Sequence, residues 1–221
     1  MEKEIKQRWD SKRESIYSLQ SNIDRLKRHI KQDLISPNEK ERLTALVVRI
    51  MLYTSERVGN ENSASNGHFG VTKFKNKHIK VDGNRVILNY VGKSGVEQEK
   101  SFVDESCSTM IKDLLSRRNQ FIFTTNEGFV IKADRVNRYL SNFNAKSKDI
   151  RGFNANRLMV MELNRIGKTE EKQRAKVFNS SLRKISAKVG HTPATLRTHY
   201  LLPEIEENFY KYGSIGKIQI Y

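Results

Sequence analysis

Apolar residues recur along this chain with two different periods, and the switch from one to the other and back constrains the fold more than any other feature. Between residues 14 and 34, Ile16, Leu19, Ile23, Leu26, Ile30 and Leu34 follow at steps of three and four, which puts them on one face of an amphipathic helix. Ser36-Pro37-Asn38-Glu39 reads as a capping box with proline at the first helical position. The helix it opens turns Leu43, Leu46, Val47, Ile50 and Tyr53 inward and ends near Arg57-Val58-Gly59-Asn60. From residue 69 the period changes. Residues 69–74, 77–81, 85–91 and 96–102 are rich in Val, Ile, Phe and Tyr, with turns at Asp82-Gly83-Asn84 and Gly92-Lys93-Ser94-Gly95. A small antiparallel sheet is expected, with Lys93 at a hairpin tip. Helical spacing returns over 107–118, 132–143, 149–166 and 169–189, with short helices at 194–201 and 203–211. Phe121-Ile122-Phe123 reads as a brief extended segment and Gly213-Ser214-Ile215-Gly216 as loose. Tyr53, Phe69, Phe102 and Phe153 read as core, and Trp9 is left unassigned. The fold class is mainly α with a small antiparallel β-sheet (α+β). A helical N-terminal segment covers 1–56, a core covers 57–212 with the sheet inserted at about 68–102, and a tail covers 213–221.

Charge narrows the partner. Among 221 residues, 41 Lys and Arg stand against 25 acids, a formal net charge of +16. Such a surplus implies a polyanion: nucleic acid first, an anionic membrane surface second. No apolar run reaches the ~18 residues that span a bilayer. The N-terminus Met1-Glu2-Lys3-Glu4-Ile5-Lys6 has no apolar signal core, so export is not expected. Cys107 stands alone and the five histidines have no metal-type spacing, which leaves no disulfide framework, metal site or metal cofactor in view. A reducing compartment fits: cytoplasm or nucleoid, or the nuclear or viral compartment of a eukaryotic or viral source. The basic residues Arg25, Lys27, Arg28 and Lys31 could form a solvated face or meet DNA. Charge alone does not separate an enzyme from a passive binder.

Breaking a phosphodiester without water or metal needs four things: a nucleophile that leaves a reversible bond, cations around the phosphorane, a proton donor for the leaving 5′ oxygen, and substrate held in line. A tyrosine phenol, with a pKa near ~10, can attack and later leave. Arginine offers a planar, permanently charged fork to phosphate oxygens, and lysine or histidine can donate the proton. The C-terminal third concentrates these types. Lys148-Asp149-Ile150-Arg151 opens a helix with Lys148 and Arg151 on one face, and Gly190-His191-Thr192-Pro193 leads to Tyr200. Each residue alone has an ordinary structural explanation. Tyr200 could pack, His191 could cap, Lys93 could simply be exposed, and Arg57 could pair with Glu56.

Their order along the chain is more specific. Glu56-Arg57-Val58-Gly59-Asn60-Glu61, Asn66-Gly67-His68-Phe69-Gly70-Val71-Thr72, Lys77-His78-Ile79, Gly92-Lys93-Ser94-Gly95, Lys148-Asp149-Ile150-Arg151 and Gly190-His191-Thr192-Pro193 running to Tyr200 resemble the type IB DNA topoisomerases of poxviruses and bacteria. The resemblance covers about residues 8 to 205. It implies a mostly helical catalytic lobe of the type IB topoisomerase and tyrosine recombinase fold, relaxation of supercoiled DNA through a 3′-phosphotyrosyl link, and no ATP, metal or other cofactor. It makes Tyr200 the nucleophile. Arg57 and Arg151 clamp the nonbridging oxygens, His191 donates to one of them, Lys93 is the general acid and Lys148 assists it. It makes Asn156 a supporting position, grouped with the DNA-binding residues. It sets the basic segment Lys73, Lys75, Lys77 and His78 against double-stranded DNA, bound by a monomer that clamps the duplex. His199, adjacent to Tyr200, points about 100° away on a helix and has no catalytic role.

Two departures qualify the match. Family members usually carry a small β-rich N-terminal domain, whereas the 56 residues before Arg57 read as helix; a minimal enzyme and a trimmed catalytic lobe are both open. Weaker, more salt-sensitive binding is expected. The stretch Gly152-Phe153-Asn154-Ala155-Asn156 also differs in detail from the family's pattern. The neighbouring alternative is a tyrosine recombinase or integrase, whose helix usually opens with His-x-x-Arg where this chain has Lys148-x-x-Arg151. A noncatalytic DNA-binding module is the third reading, and a complete set of reactive residues argues against it.

Overall fold

The computed structural model describes residues 2–92 and 95–221. Lys93, expected at a hairpin tip, lies outside the described residues. Among those described, α1 is Glu2–Asp33, α2 Glu39–Thr54, α3 Glu61–Ser65, α4 Glu105–Ser116, α5 Ala133–Ser141, α6 Ser147–Ile166, α7 Glu171–Val189, α8 Pro193–His199 and α9 Pro203–Tyr212. Three strands, β1 Ile79–Asp82, β2 Arg85–Val91 and β3 Glu97–Val103, form an antiparallel sheet in sequence order. The mainly helical α+β expectation holds. The chain divides into two compact units, Met1–Asn22 with Asp149–Tyr221, and Ile23–Lys148.

In the Ile23–Lys148 unit, α1 buries Ile23, Leu26 and Ile30, and Leu34 just past its end is buried with them, as their spacing requires. The cap of α2 sits two residues later than expected. Asn38, not Ser36, is the N-cap, its side chain accepting from the Lys40 N–H, while Ser36 Oγ accepts from the Asn38 N–H. Pro37 therefore precedes the helix. The β1–β2 hairpin turns through Gly83 and Asn84, with Asp82 paired to Arg85.

The expected strand at 69–74 does not form. Val71–Lys73 makes a single 3-10 turn. The N–H groups of Val71 and Thr72 donate to the carbonyls of Arg57 and Val58, at 2.9 and 2.8 Å. The β-branched and aromatic composition there reflects burial, since Val71, Thr72 and Phe74 are all fully enclosed. Tyr53, expected in the core, is half exposed; it stacks on Phe102 at 4.8 Å and donates to Asp104 at 2.9 Å. Asp104 in turn N-caps α4 through the Cys107 N–H. Burial pushes the Asp104 carboxyl up, but the Cys107, Tyr53 and Arg49 donors outweigh it and hold it below the usual carboxylate range.

In the other unit, α1 buries Ile16 and Leu19, α6 buries Ile150, Phe153 and Met159, and α7 buries Phe178, Leu182 and Ile185. Beyond α9 the chain is not loose. Ile215 and Ile220 are each 1% exposed, and Gln20 Nε2 donates to the Gln219 carbonyl at 3.2 Å. Gly213 takes φ +71°, and a Cβ there would fall 2.2 Å from the Thr169 oxygen, so only glycine lets the chain leave α9 along this path.

Candidate active site

The segment from Gly190 to Pro203 is built by its own punctuation. Gly190 ends α7 at φ +71°, a left-handed conformation that glycine adopts without Cβ strain. The His191 N–H donates back to the Ser186 carbonyl at 2.8 Å, which fixes where the imidazole starts. Thr192 then N-caps α8, accepting from the Thr195 N–H, and Pro193 takes the first turn. This helix is short. Tyr200 is its C-cap residue, at φ −126° and ψ −41°, and Pro203 starts α9 three residues on. The arrangement turns Tyr200 out of the helical path and brings its ring to 4.3 Å from that of His191, tilted by 31°. The nine-residue spacing between the two is thus a spatial pairing.

Arg151, 5% exposed on α6, joins the pair. Its Nε donates to His191 Nε2 at 2.8 Å, and its Nη2 donates to the carbonyls of Val189 at 2.6 Å and Gly190 at 3.1 Å. Because the guanidinium can only donate, His191 Nε2 accepts in this pairing, which leaves Nδ1 as the ring nitrogen that can donate. Asn156, one turn further along α6 and fully buried, clasps the tyrosine segment. Its Nδ2 donates to the Tyr200 and Gly152 carbonyls, each at 2.8 Å, and its Oδ1 accepts from the Leu202 N–H at 2.8 Å. A buried amide with both ends satisfied fixes the backbone it holds. Asn156, expected as a supporting position among the DNA-binding residues, grips the Tyr200 backbone in this structure.

In the Ile23–Lys148 unit, Arg57 is half buried and its guanidinium makes no hydrogen bond or ion pair among the described residues. The carboxylate expected to compete for it, Glu56, is buried against Lys100 Nζ at 2.6 Å instead. The Arg57 backbone is held by a close chain crossing. A Cβ on Gly70 would fall 2.5 Å from the Gly59 nitrogen and 2.7 Å from the Arg57 oxygen. Lys148, in the first turn of α6, is exposed.

The basic segment divides. Lys77 is exposed and Lys75 half buried, its Nζ 5.7 Å from the Phe69 ring centroid. Lys73 is 3% exposed, its Nζ 3.0 Å from Glu61 and 4.5 Å from the Phe121 ring. His78 is buried among Phe69, Phe74 and Tyr90, with Nδ1 accepting from the Lys75 N–H at 3.1 Å. Burial, with Lys77 and Lys75 adding to it, pushes the His78 pKa down to about 4. Lys73 and His78, both expected against DNA, are enclosed by the protein in this structure.

Chemically, a phenol beside an imidazole that is hydrogen-bonded to a buried guanidinium can meet a tetrahedral anion with one nucleophile and two groups suited to its oxygens. No group of three or more potential metal ligands occurs among the described residues. Among the described residues, no helix is long and apolar enough to cross a membrane.

A family model described as the eukaryotic DNA topoisomerase I catalytic core matches residues 2–211. DNA topoisomerase 1B of Acanthamoeba polyphaga mimivirus is 28% identical over 210 residues, covering 85% of this chain and 61% of that protein. The chain thus spans about three fifths of the length of that relative. Two solved structures of the XerH site-specific recombinase bound to difH substrate are each 15% identical to this chain. The post-cleavage complex has a TM-score of 0.48 and covers 84% of this chain and 47% of its own. For the pre-cleavage complex the values are 0.47, 88% and 51%.

Proposed function

The chain belongs to the family of the eukaryotic DNA topoisomerase I catalytic core, and from that premise we propose that it relaxes supercoiled duplex DNA by cutting and resealing one strand. The observation that carries the proposal is the cluster of Tyr200, His191 and Arg151, with ring centroids 4.3 Å apart and an Arg–His hydrogen bond of 2.8 Å. Tyr200 Oη attacks the phosphorus, a P–O bond forms to the phenol, and the bond to the 5′ oxygen breaks. The phenolic proton passes to solvent water, and the departing alkoxide takes one up from Lys93 with help from Lys148. Arg151 and Arg57 bear the charge that grows on the nonbridging oxygens, and His191 hydrogen-bonds to one of them. One phosphodiester replaces another, so the bond energy is kept for religation and no nucleotide cofactor is needed.

Lys75 and Lys77 meet the DNA backbone. The chain acts as a monomer around one duplex, in whichever compartment holds the DNA. Sedimentation at one chain per short duplex checks the stoichiometry.

The deciding experiment incubates the protein with supercoiled plasmid in the presence of chelator. Stepwise relaxation and a covalent 3′ adduct mapped to Tyr200 are expected, and Tyr200→Phe should abolish both. Relaxation persisting in Tyr200→Phe would refute the assignment. Recombinant products that appear only with paired sites would place the chain among recombinases.

A further inference from the structure

Two basic residues near the start of α1, far from Tyr200 in sequence and outside every motif above, hold the chain on either side of it. Lys12 Nζ donates to the carbonyl of His199, the residue immediately before Tyr200, and lies 3.8 Å from the Trp9 ring centroid. Arg13 forks onto Glu204, four residues after Tyr200, with Nε to Oε1 at 2.8 Å and Nη2 to Oε2 at 3.0 Å. Asp10 aligns the same guanidinium at 2.8 Å. Burial pushes the Glu204 carboxyl up, but Arg13 outweighs it and leaves the group below the ordinary glutamate value. All of these residues belong to the unit Met1–Asn22 with Asp149–Tyr221.

Each contact meets a local need. Tyr200 and Leu201 both donate to the Leu196 carbonyl, and the helix stops there. The His199 carbonyl is then one of the terminal acceptors with no helical donor ahead of it, and a cation is favoured at that negative end. Glu204 lies in the first turn of α9, where a carboxylate is favoured, and a bidentate arginine adds orientation to attraction. Between the two contacts Leu201 and Leu202 are buried, and Asn156 grips the Tyr200 and Leu202 backbone. The backbone on both sides of the phenol is therefore anchored, which fixes the point and direction from which the side chain leaves the turn.

We infer that Lys12 and Arg13 are positioning residues for Tyr200, bracing the tyrosine-bearing turn so that its phenol is presented in one orientation; the inference rests on Tyr200 being the nucleophile. Without the brace the turn stays folded, because Asn156 and the buried leucines remain, but the phenol samples unproductive positions. A displacement of about 1 Å from attack geometry can cost on the order of 100-fold in rate.

The test uses the whole chain with Lys12→Ala, Arg13→Ala and, as a control on the same helix, Gln20→Ala, whose contact is to the Gln219 carbonyl. Single-turnover cleavage of a duplex is measured at saturating protein beside DNA affinity and thermal unfolding. A fluorine resonance from 3-fluorotyrosine placed at position 200 reports the ring directly. The expected result is cleavage slowed roughly 10- to 100-fold in both brace variants, with DNA affinity within about 2-fold and a broadened or split fluorine line. Lys12→Arg should recover most of the rate, and Arg13→Lys, which loses the fork, little of it. Gln20→Ala should match wild type. Wild-type adduct formation with unchanged rates and fluorine lines in both brace variants would overturn the inference alone. Failure of the wild-type protein to form any adduct at Tyr200 would overturn the nucleophile reading and this inference with it.

Discussion

Asn156→Ala removes three hydrogen bonds at once, and their geometry sets the size of the effect. The bond from Nδ2 to Gly152 matters least, because that carbonyl already serves the helix. The other two matter more. The Leu202 N–H, donating at 2.8 Å to a fully buried oxygen, is left without an acceptor, and the Tyr200 carbonyl loses its donor. At roughly 1–3 kcal/mol for each stranded buried group, less for the partly buried carbonyl, the total is about 3 kcal/mol. For a chain of this size that lowers the melting temperature by about 6–12 °C.

Asn156→Asp separates the two ends of the amide. One oxygen can still accept from Leu202, while the other faces the Tyr200 and Gly152 carbonyls. A buried anion facing two acceptors should make this variant less stable than Asn156→Ala at neutral pH. Burial facing two carbonyls should raise the folded pKa of the introduced carboxyl above its unfolded value. The folded form then takes up a proton first as pH falls, and the deficit shrinks toward acid. The assay is thermal unfolding by circular dichroism from pH 4.5 to 8, beside duplex binding by anisotropy and single-turnover cleavage. Cleavage should fall by roughly 10- to 100-fold through displacement of Tyr200, with DNA affinity nearly unchanged. An Asn156→Ala protein with wild-type melting and wild-type cleavage rate but weaker DNA binding would refute the reasoning and return Asn156 to the DNA interface.

Three further outcomes follow from the Ile23–Lys148 unit. Gly70→Ala should separate the chain crossing that holds Arg57, since its Cβ would sit 2.5 Å from the Gly59 nitrogen; cleavage should drop by at least tenfold with β-sheet circular dichroism intact, and normal cleavage would show that Arg57 does not depend on the crossing. Lys73→Ala should lower the melting temperature yet leave the slope of log affinity against log salt unchanged, because its ammonium is held by Glu61, whereas exposed Lys77→Ala should leave stability alone and reduce that slope by about one. For His78, whose folded pKa is about 4 against an ordinary 6.5, the unfolded chain binds a proton that the folded protein refuses. Stability should therefore fall as pH drops from about 6.5 to about 4, by at most about 3 kcal/mol in total, and level off below. A flat urea-unfolding profile in His78→Phe across that window, against a sloping one in wild type, checks it.

Local rules carried the sequence a long way. The three-four spacing from Ile16 to Leu34 named a buried helix face residue by residue, because helical periodicity is a property of the chain alone. The helices expected at 169–189 and 194–201 left a break at Gly190 to Pro193, and the structure shows its makers: Gly190 ends one helix and Thr192 caps the next. The co-occurrence of Arg151, His191 and Tyr200 was legible because the chemistry demands those types together. Burial, by contrast, is decided by neighbours distant in sequence. Val71, Thr72 and Phe74 look like strand residues yet pack around a 3-10 turn, and Lys73 and His78 look like DNA-facing basics yet are enclosed. The same limit hid Lys12 and Arg13, which no motif or period in the sequence singles out and which the fold brings to His199 and Glu204. A contact across nearly two hundred residues leaves no local periodicity, and only the tertiary arrangement discloses it.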